Sequence, residues 1–346
     1  MNATTQSQLA RLLGLHGNLH IDFLESAALA NNPLRDPVRR PLVVYTPPEY
    51  DPQGSRRFPV LYCLHGYTGD AAALVSARPW ETNVVQWADR LVCQTRMSAA
   101  ILVIVDGFTR LGGSQYMDSI HNGAYATYTV RDVVNYVDSN YRSISAEGGR
   151  AVFGKSSGGY GSMHLVMMHP GVFAAFASHS GDTYFPTFVR SFAEAQRTLE
   201  RYAGIEPFVQ AFERKPKRSP SEYTAMEMLG YTAAYSPRQA KAFELDLPFD
   251  LKTGELREDV FARWLHWDPV TMCLTKRAEL ARLRLRYLDC GRQDEYALDL
   301  GARIFTQRVR DLGLAVRHEE FDDDHRNVGY RYEVSLPALV AALEKE

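Results

Sequence analysis

A short serine segment flanked by glycines constrains the fold of this chain more than any other feature. The sequence G-K-S-S-G at residues 154–158 follows an apolar, strand-like run at 150–153 and precedes a helix-like segment at 162–168. A sharp strand-to-helix turn strains the residue at its apex, and glycines two positions before and after it leave room for the side chain to project. The pattern predicts that Ser156 stands at the carboxyl end of a strand in a helix-covered sheet. A glycine-rich turn with an inert serine is the alternative.

Short apolar runs alternate with helix-prone segments along most of the chain, which predicts an α/β fold with a mainly parallel central sheet flanked by helices. The strand-like runs are at residues 42–45, 60–64, 101–105, 151–153, 173–178, 283–288 and 316–321, and the helical signals are at residues 80–88, 128–140, 162–168, 298–312 and 336–345. Turn residues at 46–54 predict that the first two runs pair as an antiparallel hairpin.

The alternation stops between residues 186 and 279, where helix-prone pieces are broken at Pro207, Pro216, Pro220, Pro237 and Pro248. We interpret residues 1–346 as a single domain of this α/β type, with residues 186–279 inserted as a helical cap or lid. Large aromatic side chains in the insertion, above all Trp264 and Trp267, are candidates for lining a substrate pocket. Filling the core of the cap is the alternative role for these side chains.

Charge and cysteine content exclude several classes of function. The formal net charge is -2, so the chain lacks the bulk positive charge of a nucleic-acid or membrane binder. The basic stretch at 214–218 is interpreted as a solvated loop. Residues 1–8 lack the basic and apolar regions of a signal peptide, so we expect a soluble cytoplasmic protein with no membrane partner. Four scattered cysteines favour buried thiols over a disulfide framework or a metal site.

A serine nucleophile needs an imidazole to accept its proton and a carboxylate to orient that imidazole. On sheets of this kind the chain order is serine, acid, histidine. His325 follows the last strand-like run, and Asp294 lies in the loop after the preceding one. Asp289, nearer that strand, is the alternative acid, expected instead to bind local turn amides. The acidic residues 322–324 beside His325 could instead ligate a metal, but the sequence contains no second histidine or carboxylate motif with ligand spacing.

Acyl transfer also requires amide donors for the developing oxyanion. Ser157 supplies the amide that follows the nucleophile, and Tyr67, in a glycine-containing loop after the run at 60–64, is the second candidate donor. We expect His65 to brace this loop. His179 follows the run at 173–178 and is either a substrate-pocket residue or a hydrogen-bonded core histidine.

Several motifs together resemble the putative-esterase family of α/β-hydrolases, which includes S-formylglutathione hydrolases, enterochelin and feruloyl esterases and the antigen 85 mycolyltransferases. The motifs that carry the resemblance are at residues 47–50, 59–62, 65–66, 106–107, 154–159, 294–296 and 325. The resemblance implies an α/β-hydrolase fold with Ser156 as nucleophile, Asp294 as acid and His325 as base.

These observations lead us to expect a carboxylesterase-type serine hydrolase that acts on small or medium acyl or aryl esters through an acyl-enzyme. The expected partner is a small-molecule ester, no cofactor or metal is required, and homo-oligomer formation is left open. An acyltransferase that passes the same acyl group to an alcohol or sugar is the alternative. A non-catalytic binding protein on the same scaffold is a third hypothesis.

Overall fold

Eight strands form one mixed sheet at the centre of the protein. The computed structural model describes residues 6–344, so Met1–Thr5 and the last residue of the helix expected at 336–345 lie outside the described residues. The strands are β1 (Asn18–Glu25), β2 (Arg39–Thr46), β3 (Val60–Leu64), β4 (Ile101–Val105), β5 (Arg150–Lys155), β6 (Ala175–His179), β7 (Leu285–Gly291) and β8 (Arg317–Phe321). Their order across the sheet is β1-β2-β4-β3-β5-β6-β7-β8.

The central strands are parallel and buried on both faces. β3 pairs in parallel with β4 and β5, and every residue of β3 and β4 is buried. Unbroken apolar runs are what such strands require, because helices cover both sides of the sheet. The parallel pairing continues through β6, β7 and β8. The predicted mainly parallel α/β sheet is therefore confirmed.

The predicted antiparallel hairpin between the first two strand-like runs is wrong. β2 pairs with β1 and β4, both antiparallel, and β3 lies on the far side of β4. A fully buried strand needs a partner on each edge to satisfy its backbone groups, and β3 finds both in parallel neighbours. β1 was not predicted from the sequence; its Ile21 and Phe23 are exposed at the edge of the sheet.

Helices pack on both faces of the sheet and fill the connections between strands. They are α1 (Gln8–Leu12), α2 (Ala71–Leu74), α3 (Val84–Cys93), α4 (Tyr125–Thr127), α5 (Val134–Asn140), α6 (Ser157–Met168), α7 (Val189–Arg201), α8 (Ile205–Arg214), α9 (Pro220–Tyr235), α10 (Glu258–His266), α11 (Pro269–Met272), α12 (Arg277–Ala281), α13 (Leu298–Asp311) and α14 (Tyr332–Leu343). Residues Tyr128–Val133 form a π-helical stretch between α4 and α5.

Capping explains one shifted boundary. The helix expected at 80–88 begins instead at Val84, because Asn83 and Gln86 form a reciprocal capping box at its start. Trp80 lies before this cap and is fully exposed.

The chain between β6 and β7 forms helices α7 to α12 and no strand of the main sheet. We call residues 185–281 the cap segment. Most of its buried apolar side chains form a second hydrophobic cluster, which also includes Tyr160 of α6, whereas those at 270–280 belong to the cluster around the sheet. The start of α9 carries a capping box between Ser219 and Glu222, with Pro220 at the first helical position. The cap segment thus packs through a core of its own against the sheet domain.

Candidate active site

Ser156 stands at a strained turn between a strand and a helix. β5 ends at Lys155, α6 begins at Ser157, and Ser156 between them has φ 56° and ψ -124°. A side chain in this region of backbone space is unfavourable unless surrounding contacts impose it. Here the Ser156 amide donates to the His179 carbonyl at 2.9 Å, and its carbonyl accepts from Tyr160 at 2.9 Å. The turn therefore projects the Ser156 side chain from the carboxyl end of the sheet.

The two flanking glycines are required by the close approach of β3. A Cβ atom on Gly158 would lie 2.1 Å from the carbonyl oxygen of Leu64, and one on Gly154 would lie 2.5 Å from the same atom. Because the neighbour is backbone in a central strand, it cannot move aside. The glycines thus allow strand, turn and helix to pack tightly beneath Ser156.

Asp294 and His325 are joined by a hydrogen bond. Asp294 lies in the loop after β7, His325 lies after β8, and His325 Nδ1 is 2.8 Å from Asp294 Oδ2. The other oxygen of Asp294 accepts from the Tyr296 amide at 2.9 Å. Burial by itself would raise the pKa of Asp294, but the hydrogen bond and charge of His325 outweigh it and hold that pKa below its usual value. The carboxylate is thus ionised and oriented toward the imidazole.

Ser156 and His325 line the same cavity, which has a volume of about 650 Å³. Within the described residues the Ser156 hydroxyl makes no hydrogen bond to His325. Such contacts are often long before substrate binds and tighten in the reacting complex. The walls come from the loop at 66–68, from the first turns of α7 and α9, and from the loops that follow β7 and β8.

The loop after β3, which carries Tyr67, passes beside Ser156. A Cβ atom on Gly66 would lie 3.4 Å from Ser156 Cβ, so this loop passes directly next to the serine. Neither the Tyr67 amide nor the Ser157 amide donates to a protein acceptor in the part of the chain that the structure describes. Two free N–H groups next to a serine are the arrangement that stabilises an oxyanion.

His65 holds this loop in place. Its Nε2 accepts a hydrogen bond from the Gly107 amide at 2.8 Å, and its Nδ1 donates to the Gly66 carbonyl at 2.8 Å. Burial lowers the pKa of His65, which favours the neutral ring that this pair of bonds requires. The side chain thus braces the loop, as the sequence analysis expected.

The three residues expected to bind substrate do not line the cavity. His179 is buried, with Nδ1 2.7 Å from Asp289 and Nε2 2.9 Å from the Ser335 hydroxyl. Trp264 is buried in the second hydrophobic cluster, that of the cap segment, and donates its indole N–H to the Ser236 hydroxyl at 2.9 Å. Trp267 packs against the same cluster. For these three residues the core-filling alternative describes the observed contacts.

Asp289 belongs to the buried His179 network and not to the cavity. Its second oxygen accepts from Arg331 Nε at 2.9 Å and from the Tyr287 hydroxyl at 2.9 Å. The network ties the end of β7 to β6 and to α14. The partners of its carboxylate are thus side chains, not the local turn amides that were expected, and two of them, His179 and Arg331, come from distant parts of the chain.

Two carboxyl groups at the cavity were missed in the sequence. Asp182, in the loop after β6, accepts hydrogen bonds from Gln115 at 3.0 Å, Tyr231 at 3.0 Å and Ser157 at 3.3 Å. Burial raises the pKa of Asp182, and burial together with Asp182 raises the pKa of Glu227 on α9 to about 8. Position at the carboxyl end of a strand, the rule that selected Asp294, could have found Asp182.

His16, Asp89 and Cys93 form one group in the described residues with the spacing of a metal site. Both oxygens of Asp89 already accept hydrogen bonds, from the His16 and Gly17 amides at 2.8–3.0 Å and from Tyr45 at 3.0 Å. The carboxylate therefore serves to fix the N-terminal segment to α3.

Across the described residues, no helix has the length and apolar character that crossing a bilayer would require.

Known proteins resemble this chain in sequence and in fold. The chain is 28% identical over 139 residues to esterases from two strains of Mycobacterium tuberculosis; the match covers 40% of this chain and 28% of each relative, so it spans less than a third of their length. Among solved structures, a ferulic acid esterase superposes with a TM-score of 0.59 at 19% identity, covering 95% of this chain and 99% of that one. An S-formylglutathione hydrolase from Agrobacterium tumefaciens superposes with a TM-score of 0.60 at 14% identity, covering 99% and 100%.

These structural likenesses identify the fold as that of the α/β-hydrolase esterases. The model of the family described as Putative esterase matches residues 37–335. That span contains β2 to β8, the serine turn and both loops that carry Asp294 and His325. The chain is therefore a member of this esterase family.

Proposed function

We propose that the protein hydrolyses carboxylic esters through an acyl-enzyme on Ser156, with His325 as general base and Asp294 as the residue that orients it. The single observation that carries the proposal is the 2.8 Å bond between His325 and Asp294 at the wall of the cavity into which the strained Ser156 projects. Serine, acid and histidine occur in the chain order used on this fold.

In the proposed first half-reaction, Ser156 Oγ attacks the ester carbonyl carbon and His325 Nε2 accepts the hydroxyl proton. The carbonyl oxygen becomes an oxyanion that accepts hydrogen bonds from the Tyr67 and Ser157 amides. Collapse of this intermediate breaks the bond to the alcohol oxygen, which leaves with the proton from His325.

In the second half-reaction, water attacks the acyl-enzyme and gives one proton to His325. The acid product leaves, and the proton returns to Ser156. Asp294 keeps Nδ1 protonated throughout, so that Nε2 is free to take and return the proton.

The proposal is tested with a fluorophosphonate probe and p-nitrophenyl esters on wild type, Ser156→Ala and Ser191→Ala. Ser191 is a second serine that lines the cavity, which makes it a matched control. We expect wild type and Ser191→Ala to gain one probe mass and to hydrolyse the esters, and Ser156→Ala to do neither. Equal labelling or equal turnover by Ser156→Ala would refute the nucleophile assignment. Product analysis with added alcohols separates hydrolysis from acyl transfer.

A further inference from the structure

Two arginines that line the cavity have no carboxylate partner. Arg190, in the first turn of α7, donates to the backbone carbonyl of Glu295 at 2.7 Å. Arg218, which precedes α9, donates to the backbone carbonyls of Phe212 at 2.8 Å and Glu213 at 3.2 Å. Among the described residues neither forms an ion pair. A third arginine at the cavity, Arg326, does pair, with Glu295 at 3.1 Å.

The guanidinium of Arg218 is held in one orientation. Besides the two carbonyls, its carbon atom lies 4.9 Å from the centre of the Phe212 ring. These three contacts restrict the side chain before an anion binds, so less conformational entropy is lost on binding. Of the basic stretch at 214–218 expected to be solvated, Arg218 is thus half-buried and lines the cavity.

The carboxyl groups of the cavity form no ion pair with Arg190 or Arg218 among the described residues. Asp182 and Glu227 both face it, but burial raises the pKa of each, that of Glu227 to about 8, so Glu227 is largely protonated near neutral pH. Asp182 accepts its hydrogen bonds from the neutral donors Gln115, Tyr231 and Ser157, so it contributes one negative charge against the two unpaired arginines. Lys155 also lines the cavity and forms no ion pair with any residue at 6–344, although burial lowers its pKa.

An excess of fixed positive charge in a concave site raises the local concentration of anions. Arginine suits carboxylates in particular, because its planar fork can donate two parallel hydrogen bonds. In addition, Arg190 lies beside the positive end of the α7 dipole, where an anion would be stabilising. The lining charges thus favour a substrate of opposite sign.

We propose that the ester substrate carries a carboxylate, at a distance from its scissile carbonyl, that Arg190 and Arg218 bind. The inference rests on the proposed esterase function and narrows its substrate class from esters in general to carboxylate-bearing esters.

Two pairs of charge-matched esters test the inference. Mono-p-nitrophenyl adipate and its methyl ester differ by one carboxylate on the acyl side, and 4-acetoxybenzoate and its methyl ester differ by one on the alcohol side. We expect wild type to prefer the anionic member of at least one pair and the preference to shrink as salt is added, because salt screens exposed charges.

The variants Arg190→Gln and Arg218→Gln remove one cation each, and Arg197→Gln, an exposed arginine on α7 outside the cavity, is the control. We expect kcat/KM for the preferred anionic ester to fall about ten-fold or more in the first two. The neutral ester and the control should change less than about two-fold, and Arg→Lys at either position should restore part of the loss, since the charge remains.

Wild-type enzyme that hydrolyses neutral and anionic esters equally well in both pairs would overturn the inference while leaving the esterase function intact. So would variants that lose the same factor on both members of a pair. Calorimetric binding of mono-p-nitrophenyl adipate and its methyl ester to Ser156→Ala requires no turnover. Tighter binding of the anion there supports the inference even if no ester is hydrolysed by wild type, in which case only the proposed function fails.

Discussion

The carboxylate of Asp294 and the imidazole of His325 lie 31 positions apart in the chain and 2.8 Å apart in space. If this carboxylate orients a catalytic base, Asp294→Asn should leave the fold intact and lower kcat for a p-nitrophenyl ester by about 10⁴-fold, since an amide favours the wrong imidazole tautomer. Steady-state kinetics with circular dichroism as a fold check make the measurement. Asp322→Asn, a change in the loop just before His325, is the control. A loss of less than about ten-fold in Asp294→Asn would remove Asp294 from the proposed triad.

The second buried aspartate–histidine pair predicts the opposite outcome. Asp289→Asn breaks a buried network with His179 and Arg331, so it should lower the free energy of unfolding by about 3–5 kcal/mol. Urea unfolding measures this change. Turnover per fluorophosphonate-titrated site should stay within a few-fold of wild type. The interpretation is contradicted by a variant of normal stability that has lost its activity.

Backbone crowding under the serine turn predicts the effect of added methyl groups. Gly158→Ala places a Cβ 2.1 Å from the Leu64 carbonyl and should abolish probe labelling or folding. Gly66→Ala is milder, with contacts of 3.2 Å to the Lys155 carbonyl and 3.4 Å to Ser156 Cβ, and should fold with a reduced labelling rate. For Gly329→Ala the nearest atom is 3.8 Å away, so this control should label normally. Wild-type labelling rates in both Gly66→Ala and Gly158→Ala would contradict the crowding argument.

His164 predicts a loss of stability on acidification. The ring is buried on α6, its Nδ1 has no hydrogen-bond partner among the described residues, and burial lowers its pKa to about 3. Between pH 6.5 and 3 the unfolded chain therefore binds a proton that the folded chain excludes. The contribution of the neutral ring to the free energy of unfolding therefore keeps its full value above pH 6.5 and declines as the pH falls toward 3. His164 accounts for at most about 1.4 kcal/mol of this decline per pH unit.

Urea unfolding of wild type and His164→Gln at pH 7.5, 6 and 5 measures this effect. The variant should lose less stability than wild type on acidification, whereas His266→Gln, at an exposed position, should follow wild type. Parallel stability curves for wild type and His164→Gln would show that His164 does not cause the decline. Burial also lowers the pKa values of His65 and His318. Because both histidines are present in wild type and in the variants, the difference between their plots of unfolding free energy against pH reports His164.

Local signals in the sequence located much of this molecule. A few adjacent residues are enough to predict β3, β4 and the turn at Ser156, because the apolar runs and the glycines are continuous in sequence. The predicted α/β sheet and family membership are confirmed. The pairing partner of β2 could not be found in the same way, because a strand edge does not encode whether its neighbour comes next in the chain or more than 50 residues later.

Convergence of side chains in space was the harder problem. Asp182 and Glu227 come from a loop and a helix far apart in sequence, and only the packing of the cap segment brings both to one cavity. His179 lies at the end of β6, which pairs with the strand that leads into Ser156, but its ring is hydrogen-bonded to Asp289 of β7 and Ser335 of α14. Position at a strand end selects residues near a site but does not tell which face their side chains occupy.

The second hydrophobic cluster, formed mostly by the cap segment, also bears on which residues can be substituted to change substrate selectivity. Arg190, Arg218 and Glu227 all belong to the cap segment, whereas Ser156, Asp294 and His325 are held by the sheet and its loops. The residues proposed to select an ester therefore lie in a different part of the chain from the proposed catalytic residues, and they can be substituted without changing Ser156, Asp294 or His325. Libraries confined to the cavity-lining positions of the cap segment, at residues 188–191 and 218–231, are the starting point for changing selectivity.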